Sequence, residues 1–507
     1  MMFVALLGSA CGDPGKLWSV RGGCRDPLGT GLAVLIAGVA SRRMTGLSRG
    51  ADRISRNAAC TIPGAVTLSH CPGLDTGGRF MPFGNLEAGI WPAGFPPLLS
   101  WCVLVAAAAL LGHLVHRFTG YPRMLGYTVV GLVAGWVGFG DLPWPLQGST
   151  AVLLEVAVGA SLLLAASQVS LPWLFRQPWL LLQSLGESLI TLTVVAATLL
   201  ALGWGWAVAL AVGVISMAAS PAVLLRIADD LRASGAVTDR SLLLATISTL
   251  LALLGALVLT VVFVPVAAAA GGGLQFSSAG LGRLLFSVLL TLFWAFLVTI
   301  AFWPVLRWQS SRSDTTALYL LAAMAAVCLL AEQWGGSAAL GFMVAGLMLR
   351  NLSPMPLVWP QAFQAANAML NLLMFVLVAS MASQVNLSVA MVSVVASAVL
   401  ARILGKFGSI LLLGLGTGIG WRRQWPVACG QLALSGLALL IVSGIAMQWT
   451  AFNASVAQQV AAIALPMIVL CEVLGVLLAA TALWRSGDAH RGVGRAALQR
   501  GGKRHDA

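Results

Sequence analysis

Lys406 and Arg402 lie four residues apart in a long apolar stretch, which places both cations on one face of a helix. A cation in a hydrocarbon-spanning segment is costly and is kept where it meets protein or water. Lys406 is therefore the leading candidate for function, able to carry a proton or to attract an anion. Snorkelling towards an interface is the alternative, and it suits Arg402 better than Lys406. Glu187 and Glu155 also interrupt apolar stretches and are candidate proton carriers. Ser248 and Thr249 offer adjacent hydroxyl oxygens that could coordinate an ion, although bonding back to their own helix is the expected state. Ser220-Pro221 and Ser435-Gly436 are the remaining candidates. A proline removes a backbone donor and a glycine loosens a helix, so each dipeptide marks a break whose free carbonyls and helix ends could face an ion. Glu472 reads as a helix-packing acid, while His113 and His116 stand near a helix end. No phosphate loop, catalytic triad or metal cluster is visible, so neither a resident metal, a cofactor nor an enzymatic reaction is expected.

The elements that must position these groups are membrane helices. Of 507 residues, 59% are hydrophobic and 9% charged, against roughly a quarter charged in a soluble domain. Apolar runs of about 20 residues, the length needed to cross a hydrocarbon core, recur from residue 95 to residue 485. They predict an all-α polytopic membrane protein of about thirteen transmembrane helices, with spans near 96–116, 123–140, 150–168, 178–203, 206–226, 240–268, 282–305, 315–332, 336–350, 363–383, 387–417, 424–448 and 455–484. The net charge of +13 consists mostly of arginines in alternate loops, which argues for topology and against nucleic acid as a partner. The positive-inside rule puts those loops and the basic tail 486–507 in the cytoplasm, with the first helix starting outside. Residues 1–80 carry nine Lys/Arg and one short apolar stretch. They are expected to form a poorly structured extension, or to precede a natural start at Met81. Eight cysteines without metal spacing read as small apolar residues.

An internal repeat orders the spans. Leu125-Gly126-Tyr127-Thr128-Val129-Val130-Gly131-Leu132 is echoed by Leu340-Gly341-Phe342-Met343-Val344-Ala345-Gly346-Leu347, an offset of 215 residues, and the same offset pairs Ser220-Pro221 with Ser435-Gly436. An odd number of spans separates the partners, so the halves have opposite orientation: inverted repeats of five helices, each with a broken helix. The offset also pairs Glu187 with Arg402, a possible salt bridge across the two halves.

Ala219-Ser220-Pro221-Ala222-Val223 with Asp229-Asp230-Leu231-Arg232, Gly336-Ser337-Ala338-Ala339-Leu340-Gly341, Arg402-Ile403-Leu404-Gly405-Lys406 and Glu472-Val473-Leu474-Gly475 resemble, in order, segments of Kef-type monovalent cation:proton antiporters of the sodium/hydrogen exchanger type. The resemblance implies two broken helices that cross, a dimerisation part beside a mobile core part, and a homodimer, while the Gly/Ala/Leu-rich composition suits a bacterial inner membrane. It also implies exchange of Na⁺ or K⁺ for protons by alternating access. The chain departs from the family at the ion-binding acid, where Ala245-Thr246-Ile247-Ser248-Thr249 has no carboxylate. Leu437 and Gln168 stand where two further acids are common. An anion or organic-solute carrier, or an uncoupled membrane protein, is the alternative on the same fold.

Overall fold

The computed structural model describes residues 97–489, apart from 138–145, 147, 267–272, 309–313, 353–356, 386–387, 415 and 417–419. The readings of residues 1–80 and of most of the basic tail lie outside the described residues.

The helices in chain order are α1 (Pro97–Thr119), α2 (Met124–Trp136), α3 (Ser149–Ala166), a short α4 (Leu171–Phe175), α5 (Pro178–Ala201), α6 (Trp206–Met217), α7 (Pro221–Leu231) and α8 (Ala236–Val262). Strands β1 (Phe263–Val266) and β2 (Gly273–Phe276) follow, then α9 (Ser278–Trp308), α10 (Asp314–Trp334), α11 (Ala338–Leu352), α12 (Gln361–Ser383), α13 (Val389–Gly414), α14 (Trp421–Gly430), α15 (Gly436–Thr450) and α16 (Ala454–Ser486). Among the described residues nine helical stretches are long and apolar enough to cross a membrane, α6 with α7 counted as one, and four shorter apolar helices accompany them. With no water in the hydrocarbon region, each helix satisfies its own backbone, and the chain is a multi-pass membrane protein.

The 215-residue offset extends through the whole domain: α2 maps onto α11, α3 onto α12, α5 onto α13, the α6–α7 pair onto α14–α15, and α8 onto α16. α9 joins the halves. Packing follows the same symmetry. α2 lies against α12 and α3 against α11, while α5 packs on its own mate, α13. At the first two crossings Gly131 faces the backbone of Val376 and Gly346 that of Leu163, so close that a Cβ at either would collide with a carbonyl oxygen. Two groups of helices result, α1–α3 with α9–α12, and α5–α8 with α13–α16.

Two details differ from the sequence expectation. The span placed at 240–268 stops being helical at Val262, because Phe263-Val264-Pro265-Val266 combines β-branched residues with a proline and pairs antiparallel with Gly273–Phe276. The unexpected α4 begins with a proline in its first turn and exposes Trp173 and Phe175, which suits a piece lying at the interface.

Capping fixes the ends that matter for the site. Ser220 Oγ accepts from Val223 N at 3.3 Å, with Pro221 at the first helical position of α7. Ser435 Oγ accepts from Leu437 N at 3.4 Å at the start of α15. α8 is capped from a distance: Asp488 Oδ2, beyond the end of α16, accepts from the backbone N and the hydroxyl of Thr238, both at 2.9 Å.

Candidate ion site at the helix crossing

Both breaks expected from the sequence are real, and they touch. Ser220 N donates to Ala433 O at 3.0 Å, linking the extended segment between α6 and α7 to that between α14 and α15. The negative ends of α6 and α14 therefore converge, as do the positive ends of α7 and α15.

α13 drives its two cations into the converging carbonyls. The Arg402 guanidinium donates to Ser216 O, to Ala218 O at 2.9 Å, to Gln431 O at 3.3 Å and to Leu432 O at 3.1 Å. Lys406 Nζ donates to Met217 O at 2.7 Å and forms an ion pair with Glu187 on α5. Lys406 and Glu187 are both 0% exposed, and Arg402 is equally buried. The structure thus corrects the expected Glu187–Arg402 bridge: the carboxylate pairs with Lys406, one helical turn further along α13. The reason is geometric, since a planar fork with five donors can serve carbonyls of two helix ends at once, whereas the compact ammonium suits a single carboxylate. Snorkelling of either cation to an interface is likewise excluded by their burial.

The hydroxyls separate. Ser248 bonds back to Ala245 O at 3.3 Å, within its own helix. Thr249 does not; it donates to Ala219 O in the first break, so that α8 meets the crossing through a neutral oxygen where the resemblance leads one to expect an acid. Glu155 is not part of this cluster, for it faces Cys328 and Glu332 of α10. His116 Nδ1 lies 3.0 Å from Tyr121 O at the end of α1, also away from the crossing.

A narrow cavity adjoins the positive side of the crossing, lined by Ser220, Pro221, Ser435 and Leu437 together with Ser161 of α3 and Met374 of α12. Its lining is mostly apolar, and behind it Ser161 Oγ lies 3.0 Å from Asn367 Oδ1 and 2.9 Å from Asn371 Oδ1. Neither Glu187 nor Lys406 lines it.

Sequence reasoning underweighted one feature, the polar stripe Gln183, Ser184, Glu187, Ser188 and Thr191 on the buried face of α5. Its 3–4 residue spacing was visible in the sequence. Among the described residues no group of His, Cys, Asp or Glu could hold a metal ion.

Comparison with known proteins agrees with this architecture. Two structures of the sodium proton antiporter MjNhaP1 from Methanocaldococcus jannaschii superpose with TM-scores of 0.56, for the form at pH 8, and 0.57. They are 16% and 17% identical, cover 78% of this chain and are themselves covered to 98% and 99%. At that identity the likeness concerns the fold. Among curated proteins no sequence matches. Residues 103–484 match the family described as sodium/hydrogen exchanger, transmembrane, and the chain belongs to that family.

Proposed function

We propose that the protein is a secondary transporter that exchanges a monovalent cation, Na⁺ or K⁺, for a proton by alternating access. The observation that carries this reading is the fully buried Lys406–Glu187 pair at the crossing of two broken helices. Glu187 takes over the role of the acid absent near Ser248 and Thr249. An incoming cation displaces the Lys406 ammonium from Glu187 and from Met217 O, and Lys406 leaves the pair by giving up its proton. One cation then replaces one proton, and the site keeps its net charge. Arg402 holds the helix ends together in this scheme. Thr249, Ser220 and Ser435 shape the breaks, with Pro221 and Gly436 starting the second half-helices. The motif resemblance supports a Kef-type member acting as a homodimer, and the Gly/Ala/Leu-rich composition supports a bacterial inner membrane, with membrane lipid as its surroundings. The arginine distribution supports a cytoplasmic C terminus.

A carrier of anions or organic solutes is the second reading, favoured by one observation: the crossing buries two cations, Arg402 and Lys406, and one carboxylate, Glu187. Liposomes holding the full chain and a pH-sensitive dye, given a proton gradient and then Na⁺, K⁺ or Li⁺, separate the two. Cation-driven collapse of the gradient that Lys406→Ala abolishes supports antiport. Absence of any response to the three cations, in folded protein, refutes it.

A further inference from the structure

Glu472 is the other acid fully buried in the second group of helices, and the exchange described above does not use it. It lies well inside α16, and its Oε1 is 2.8 Å from Thr128 Oγ1 on α2. The same hydroxyl is 3.1 Å from Met124 O, a turn earlier on its own helix. A threonine hydroxyl has one hydrogen, so it makes one full-strength bond or shares that hydrogen between the two acceptors at a weaker bond to each. Both contacts are made at full strength if the hydrogen between Glu472 and Thr128 belongs to the carboxyl: Glu472 donates to Thr128, and Thr128 donates to Met124 O. The other oxygen, Oε2, has no partner, which a neutral acid tolerates far better than a carboxylate in a membrane interior.

The groups that could compensate a charge there turn elsewhere. Arg123, at the entry to α2, pairs with Asp230, and Tyr127, Arg226 and Asp229 interact within that same cluster. Arg402 and Lys406 of α13 are taken by carbonyls and by Glu187, and the neighbouring Cys471 faces Arg402. Asp239 and Arg240 stand in the first turns of α8 and Arg422 and Arg423 at the start of α14, at the ends of those helices, while α6, α12 and α15 carry no charged residue.

We propose that Glu472 is a second proton site of this transporter: protonated in the conformation described here, it ties α16 to α2 across the boundary between the two helix groups, and it gives up its proton only when those helices separate enough to admit water. The coupling to transport rests on the antiport reading; the protonated state does not. Each group moves as a unit only if this bond is broken, so occupancy of Glu472 by a proton favours the conformation described here.

Infrared difference spectroscopy on the full chain in liposomes tests it, wild type beside Glu472→Gln and Thr128→Val, with dye-reported proton flux under Na⁺ and K⁺ gradients in the same preparations. The wild type is expected to show a carboxylic-acid C=O band, shifted in D₂O, that Glu472→Gln lacks and that Thr128→Val moves to higher frequency. Flux through Glu472→Gln is expected to lose one titration step of the wild-type pH profile. Identical bands in wild type and Glu472→Gln, or an unchanged pH profile in a folded Gln variant, overturn the proposal. Should Glu472→Gln fail to fold, the band in Thr128→Val decides: an unshifted band overturns it. A wild type that moves neither cation refutes antiport, and the band still decides whether Glu472 holds a proton.

Discussion

Lys406→Met is the most informative single change, because it removes a charge and leaves the volume nearly unchanged. Breaking a buried pair by deleting one partner costs about 3–5 kcal/mol, since the other charge is left without compensation. Met217 O also loses its donor, at 2.7 Å in the structure, which is worth about 1–3 kcal/mol for a buried acceptor. One ammonium serves both partners, so the two costs overlap, and the expected loss lies towards the upper end of the first range. Glu187→Leu strands the ammonium and costs about 3–5 kcal/mol by the same reasoning. In Glu187→Leu/Lys406→Met no charge remains to strand. The double variant is expected within about 1–3 kcal/mol of wild type, the orphaned carbonyl being the residual cost, and to transport nothing. Cys328, Cys429 and Cys471 are free and buried, so the reaction of a thiol dye during thermal unfolding in detergent reports the loss of structure. A double variant whose destabilisation equals the sum of the two singles would refute the pairing.

Arg402→Lys is expected to be inactive and destabilised by about 2–5 kcal/mol, because one ammonium cannot reach carbonyls of both α6 and α14; thiol-dye unfolding and dye-reported flux check it. Thr249→Val removes the donor to Ala219 O and is expected to cost about 1–3 kcal/mol and slow cation exchange, while Thr249→Ser keeps both stability and rate. Asp488→Ala takes the cap from the start of α8 and is expected to lower stability by about 1 kcal/mol without altering cation selectivity in the flux assay.

Helices were legible in the sequence because the bilayer imposes a simple rule, a run of apolar residues long enough to cross it. The breaks were legible because Pro221 and Gly436 act locally on the backbone. Partners were not. Nothing in spacing distinguishes Arg402 from Lys406 as the mate of Glu187, since both lie on one face of α13; the choice depends on where the carbonyls of α6 and α14 end, and that is tertiary. Thr249 turned outward from its helix for the same reason, since Ala219 O offers a partner that only folding brings near. Glu155 shows the limit of the same rule: an acid inside an apolar span is visible in the sequence, but its place beside Cys328 and Glu332, away from the crossing, is tertiary. The end of α8 was misjudged because Phe263 and Val264 are apolar enough to extend a span, while Pro265 and the pairing with β2 decide the backbone.

The repeat explains why the site cannot be symmetric. Arg402 binds Ser216 O and Gln431 O, two carbonyls related by the 215-residue offset that also relates Glu187 to Arg402. A side chain that meets equivalent atoms of both halves sits close to the pseudo-twofold axis, where there is room for one guanidinium. Were residue 187 also an arginine, it would compete for the same carbonyls and repel the first. An acid at 187 removes the competition but creates a buried charge that needs its own partner, and Lys406, opposite a threonine at 191 in the repeat, supplies it. The symmetric backbone thus provides converging helix ends, and the departure from symmetry in two side chains provides an ion pair that a cation can open.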